Sequence, residues 1–112
     1  MKKIKQGDIF WADLNPVRGH EQAGCRPVLV LQNDLLNKNL NTIIIAPLTT
    51  NVSVKGFLTT YFFSAKQSKL NKDSIALLYQ IRTIDKTRLQ EKLSQLSEQQ
   101  MREIKLQMAL LF

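Results

Sequence analysis

The residues best suited to chemistry lie in one short run, Gly19-His20-Glu21-Gln22-Ala23-Gly24-Cys25-Arg26-Pro27, where a polar, glycine-flanked stretch hands over to an apolar one. Pro27 biases the residue before it toward extended backbone, so the Arg26 guanidinium is expected to project from the rim of a rigid strand. A guanidinium stays charged near neutrality and presents a planar fork of donors. That fork suits a phosphate, or the pentavalent state formed when a phosphate is attacked. His20, with an unperturbed pKa of ~6.5, could transfer a proton or pair with phosphate. Thr49 and Thr50 close a second apolar run and supply hydroxyls beside the same rim if the two runs pair as strands. When the substrate is RNA, such chemistry needs neither metal nor outside water, because the ribose 2′-OH is the nucleophile. The protein must align that group, help its proton leave and stabilise charge on phosphorus.

Taken singly, these residues also have ordinary roles. An Arg before a Pro is commonly a surface residue at a strand start, Thr49 and Thr50 fit a turn, and Glu21 fits a solvated charge. Cys25 fits a small half-buried side chain, Phe10 and Trp11 fit the core, and the Met101, Ile104, Met108 stripe fits packing. The Lys66, Lys69, Lys72 cluster reads as a solvated loop, or as an extension of an electropositive track. One His and one Cys fall short of any ordinary metal-ligand spacing, and no glycine-rich phosphate-binding motif occurs. No metal and no nucleotide cofactor are therefore expected.

The elements that would position these groups can be read from hydrophobic pattern. Asp8 to Leu14 is a β-prone segment with Phe10 and Trp11 inside, stopped by Asn15-Pro16, and Val17 to Cys25 is a long loop. Pro27 to Gln32 and Thr42 to Leu48 are unbroken apolar runs, fitting strands buried on both faces or curled into a closed sheet. A polar connection between them could carry a helical turn through Leu35, Leu36 and Leu40. Leu58 to Phe63 reads as a strand, Ser64 to Lys72 as a polar connection, and Ser74 to Thr83 as the strand completing the sheet. Leu89 to Leu96 fits either a helix face or a partly covered strand. Ser97 and Gln100 have the form of a capping box, opening a terminal helix whose apolar face is Met101, Ile104, Met108 and Leu111. Five short strands in so few residues suggest a small barrel or sandwich, a mainly β fold with helix at its end.

Length and composition set the outer bounds. A chain of 112 residues, 44% hydrophobic and 22% charged, suits one globular domain spanning 1–112. Sixteen Lys and Arg against nine Asp and Glu give a net charge of +7, which favours a polyanionic partner. The basic start Met1-Lys2-Lys3 is followed by Gln6, Gly7 and Asp8 where a signal peptide needs an apolar run. The longest apolar stretch, Ile43 to Leu48, is too short to cross a bilayer, and the lone Cys25 cannot pair internally. A cytoplasmic location without membrane association is the expectation.

Three segments together resemble the MazF/PemK toxin family: GDIFWADLNPVRGHEQAGCRPVLVLQND at Gly7 to Asp34, IAPLTTN at Ile45 to Asn51, and DSIALLYQIRTIDKTRL at Asp73 to Leu89. Their order and spacing match as well. The resemblance implies an SH3-like small β-barrel with appended helices (α+β), a homodimer, and sequence-selective endoribonuclease cutting of single-stranded RNA without a metal. Products would carry a 2′,3′-cyclic phosphate and a 5′-OH. It also implies that Arg26 stabilises transition-state charge, that Thr49 holds the scissile phosphate, and that Glu21 and Gln22 lie in the loop gating the groove. Gln80 falls where family members contact bases, and Arg82 and Thr50 join the same RNA-binding set. A cognate acidic antitoxin, whose disordered tail fills the groove, is the implied protein partner.

Two positions depart from the common pattern. Tyr79 stands where many members carry Asp or Glu, so a base mechanism through that carboxylate is not implied, whereas a Tyr could stack on a nucleobase. His20 matches the PemK type, in which a His occupies a place that is Ser elsewhere. Two rival functions share the architecture: a gyrase poison resembling CcdB, and a noncatalytic RNA-binding barrel. Against the first, the chain ends Leu110-Leu111-Phe112 and has no Trp after Trp11 to form the Trp-Gly-Ile ending associated with that activity.

Overall fold

Odd and even residues of β1 (Asp8–Asp13) enter two different apolar clusters, Ile9 one of them and Phe10 and Ala12 the other. The same division runs through β2 (Cys25–Val30), where Leu29 opposes Val28 and Val30. In β3 (Thr42–Thr49), Ala46 and Leu48 oppose Ile43 and Ile45. These are the unbroken apolar runs of the sequence, and they lack polar alternation because both faces of their sheet are covered. The computed structural model describes residues 3–15 and 24–112.

Four further strands complete one antiparallel sheet: β4 (Thr60–Phe63), β5 (Ser74–Leu77), β6 (Arg82–Asp85) and β7 (Leu89–Gln95). The order is β4-β5-β3-β2-β1-β7, with β6 also on β3. β3 serves β6 with Thr42 to Ile45 and β5 with Leu48 and Thr49. One face of the sheet packs on α3 (Glu98–Ala109) through Met101 and Ile104. The other curls over Phe10, Leu14, Val28, Ile45, Ile84 and Leu89. The expected barrel is therefore curled but open, since β4 and β7 end the order and do not pair among the described residues.

The Ser74 to Thr83 segment, expected as one strand, is β5 and β6 separated by a 3₁₀ turn at Leu78–Gln80. The backbone N–H of Tyr79 donates to the Thr59 carbonyl at 3.3 Å, drawing the chain out of the ladder between its two pairings with β3. Leu89 to Gln95 is a strand and not a helix, because Ala12 and Asp8 of β1 pair with Leu89 and Gln95. β4 starts at Thr60 and not at Leu58, whose φ is +64°; the Gly56 N–H donates to the Thr60 hydroxyl and closes a turn there. Trp11, expected inside beside Phe10, is only half-buried.

Both polar connections carry short helices. Asn33 caps α1 (Asp34–Asn39) by accepting from the Leu36 N–H, and Ser64 with Gln67 forms a capping box on α2 (Ala65–Ser68). The Ser97–Gln100 box opens α3 as its sequence pattern predicts: the Ser97 hydroxyl accepts from the Gln100 N–H at 3.1 Å, and the Gln100 side chain accepts from the Ser97 N–H at 2.9 Å. Gly7, at φ +95°, lets the chain entering β1 run against that helix. A Cβ there would stand 3.1 Å from Met101 Cγ.

Candidate active site

Arg26 and Thr49 meet through register. β2 and β3 pair Val30 with Ile45, Leu29 with Ala46 and Val28 with Pro47. The pairing ends there, and two positions further along each strand stand Arg26 and Thr49. Strand alternation puts both side chains on the face of Val28, Val30, Ile43 and Ile45, at the rim of the curled cluster. The guanidinium confirms the approach by donating from Nη1 to the Leu48 carbonyl at 3.3 Å, one residue from Thr49. Pro27 sits within β2, opposite Trp11, so Arg26 rides on a paired strand as its sequence context requires.

The site favours an anion. Burial lowers the Arg26 pKa from its ordinary value, yet a guanidinium remains a cation throughout the neutral range. Partial desolvation makes each interaction it forms with an incoming charge stronger than in open water. The Thr49 hydroxyl oxygen accepts from the Asn51 N–H at 3.1 Å, so its own hydrogen remains to donate. Asn51 in turn accepts from the Ser53 N–H and hydroxyl, which fixes the turn leaving β3. Thr50, next along, is exposed.

The other expected site residues divide three ways. Tyr79 and Gln80 lie on the 3₁₀ turn that packs against β3, with Tyr79 exposed and Gln80 half-buried. Arg82 is on β6 opposite Ile45, and its Nη1 donates to the Leu14 carbonyl at 3.4 Å. His20, Glu21 and Gln22 lie outside the described residues, as does the Val17 to Cys25 loop up to residue 23. The structure thus brings Arg26 and Thr49 together, and sends Arg82 to the end of β1.

That end of β1 carries a feature absent from the sequence reading. Arg88 Nη1 donates to the Asp13 carbonyl at 3.2 Å and also to the Asn15 carbonyl. With Arg82 on Leu14, three consecutive carbonyls are held by two guanidiniums. The strand end is tied to β2 as well: the Leu14 N–H donates to the Gly24 carbonyl at 3.1 Å, and the Gly24 N–H donates to the Asn15 side chain at 3.0 Å. More than sixty residues separate the two arginines from their acceptors, so no local pattern signals those bonds.

No group of three or more His, Cys, Asp or Glu among the described residues could hold a metal, and no described helix is long and apolar enough to cross a membrane. A cleft of about 1120 Å³ lies at the opposite end of β3, lined by Lys3, Lys5, Lys38 and Lys86 around Asn37 and Asn41. It is remote from Arg26 and Thr49.

Comparison with known proteins points the same way. Residues 5–112 match the family of PemK-like, MazF-like toxins of type II toxin-antitoxin systems. An Endoribonuclease MazF from Staphylococcus epidermidis is 48% identical over 101 residues, covering 90% of this chain and 84% of that protein. The fold is that of MazF from Deinococcus radiodurans, with a TM-score of 0.82 at 24% identity over 99% of this chain and 97% of that one. A MazE-MazF structure from the same organism superposes at a TM-score of 0.76, also at 24% identity, over 99% of this chain and 96% of that one. With its Arg26–Thr49 rim on an open, curled sheet and a match that runs from residue 5 to the end, the chain belongs to the PemK-like, MazF-like toxins of type II toxin-antitoxin systems.

Proposed function

We propose that this toxin, an endoribonuclease, cuts single-stranded RNA by in-line attack of a ribose 2′-OH on the adjacent phosphate, without a metal, leaving a 2′,3′-cyclic phosphate and a 5′-OH. The convergence of Arg26 and Thr49 on one rim carries this reading. Arg26 neutralises the charge that grows on the phosphorane oxygens, and the Thr49 hydroxyl holds a non-bridging oxygen so that the 2′-oxygen lies in line with the departing 5′-oxygen. The 2′-OH loses a proton as the P–O bond forms, and the 5′-oxygen gains one as its bond breaks. His20 and Glu21 are the groups assigned to those transfers. Gln22, Thr50, Tyr79 and Gln80 hold the flanking nucleotides, Tyr79 by stacking its exposed ring on a base.

The net charge of +7 draws the RNA in, and it equally suits an acidic antitoxin competing for the same rim. The protein acts as one domain, as a homodimer in the cytoplasm. Purified protein incubated with mixed-sequence RNA and a magnesium chelator should give fragments bearing cyclic phosphate and 5′-OH ends. Arg26→Ala should slow that cleavage about 100-fold or more while the protein stays folded. Intact RNA alongside gyrase-dependent DNA breaks would overturn the proposal.

A further inference from the structure

We infer that Arg82 and Arg88 are positioning residues that clasp the end of β1 and thereby hold Arg26 in its working place, in preference to contacting RNA. The inference rests on the reading of Arg26 given above and deepens it.

Both guanidiniums are turned inward. Arg82 reaches from β6 to the Leu14 carbonyl, and Arg88, just before β7, reaches the carbonyls of Asp13 and Asn15. The three acceptors follow one another from the last pair, Asp13 with Cys25, to where β1 leaves its ladder. Carbonyls at a strand end need donors, and two cations from a distant part of the chain supply them. Both residues are half-buried and their bonds to the Leu14 and Asp13 carbonyls are partly shielded from solvent, so moving either one to an RNA phosphate would cost a bond in partly dry surroundings.

The clasp connects to the reaction by a short mechanical path. Ala12 pairs directly with Arg26, Asp13 with Cys25, and Leu14 bonds Gly24. Pinning residues 13–15 therefore fixes the backbone from Gly24 to Arg26, on which the guanidinium is mounted. Arg26 itself reaches past Val28 and Pro47, the last β2–β3 pair, to the Leu48 carbonyl. At that overhang β2 depends on β1 for support, and β1 depends on the clasp. A displacement of about 1 Å at a reacting group can cost on the order of 100-fold in rate.

The test combines kinetics with salt dependence. Single-turnover RNA cleavage under a magnesium chelator is compared for the wild-type chain, Arg88→Ala, Arg26→Ala and the double variant. Affinity for a fully 2′-O-methylated RNA, which lacks the nucleophile, is followed across a salt series. Arg88→Ala should cleave roughly 10- to 100-fold more slowly with an unchanged salt slope. The double variant should be no slower than Arg26→Ala within about threefold, because both changes abolish one function.

A salt slope reduced by about one would show a lost phosphate contact and overturn the clasp. Additive losses, or wild-type cleavage by Arg88→Ala beside a slow Arg26→Ala, would overturn it too. Wild-type cleavage by Arg26→Ala would instead overturn the underlying reading of Arg26. Thermal melts report folding. Should Arg88→Ala not fold, Arg88→Met keeps the apolar stem but removes the donors: slow cleavage at an unchanged salt slope supports the clasp, and wild-type cleavage overturns it.

Discussion

Replacing Thr49 by valine removes one hydroxyl and keeps the branched shape of the side chain, which makes it a sharp probe of what that oxygen does. The structure sets the scale. Thr49 is half-buried at the end of β3, its oxygen already accepts from the Asn51 N–H at 3.1 Å, and the Arg26 guanidinium reaches the neighbouring Leu48 carbonyl at 3.3 Å. The hydroxyl hydrogen is therefore free for a phosphate oxygen, and a hydrogen bond to a charged acceptor is worth about 1.5–3 kcal/mol. At about 1.4 kcal/mol per factor of ten, Thr49→Val should lower single-turnover cleavage by roughly 10- to 150-fold. Thr49→Ser retains the donor and should stay within about fivefold of wild type, the loss reflecting freer rotation about χ1. Loss of the Asn51 bond should cost the valine variant about 1 kcal/mol of stability, readable in a urea melt and separable from rate. Full activity in the valine variant, or equal damage from serine and valine, would refute the role assigned to the hydroxyl.

Two further expectations concern the frame that carries the site. Ser97→Ala removes the cap of α3 and should cost about 1 kcal/mol, lowering the melting temperature by roughly 4 °C with cleavage unchanged at 25 °C. The Tyr61 hydroxyl donates to Glu103 at 2.5 Å, which lowers the Glu103 pKa; burial, and then this bond to a carboxylate, raise that of Tyr61. A depressed carboxylate stabilises the fold above its ordinary pKa and loses that contribution as pH falls through the folded value. A raised phenol stabilises below its ordinary pKa and fails as pH climbs beyond it. Denaturant melts should therefore show a stability plateau narrowed at both ends; Tyr61→Phe should remove the fall contributed by this phenol in alkali and weaken the fall in acid, where Gln99 still holds Glu103.

Sequence pattern carried the parts of the fold that depend on neighbours in the chain. The doubly buried strands β2 and β3 announce themselves as apolar runs, and Ser97 with Gln100 marks a helix start within four residues. The same Ser-x-x-Gln spelling at Ser64 and Gln67 opens a helix of only four residues, too short for a hydrophobic period to draw attention to it. The break at Leu78–Gln80 was hidden because no Gly or Pro interrupts an apolar stretch, and a long-range bond from Tyr79 to Thr59 supplies the bend. Leu89 to Gln95 could not be assigned from its own residues, since the pairing with β1 decides it.

The candidate rim was legible in part. Arg26 was singled out by its place before a proline, whereas its approach to the residues beside Thr49 needed two strands brought together. The clasp of Arg82 and Arg88 needed tertiary structure outright, because arginines in a basic chain look alike until their acceptors are known.

An open sheet leaves outer strands that a stray extended peptide could lengthen, and the two that end its order, β4 and β7, are defended differently. Gln107 of α3 donates its amide to the carbonyls of Leu58 and Thr60, at 2.7 Å each, occupying acceptors that a foreign strand beside β4 would need. On β7 the exposed sequence Gln90, Glu91 and Lys92 makes the free border charged and soluble, and Lys92 is further pinned to Asp8 at 3.2 Å. A basic protein that tolerates an unclosed sheet in this way guards these two edges against self-templating, leaving recognition to its side chains.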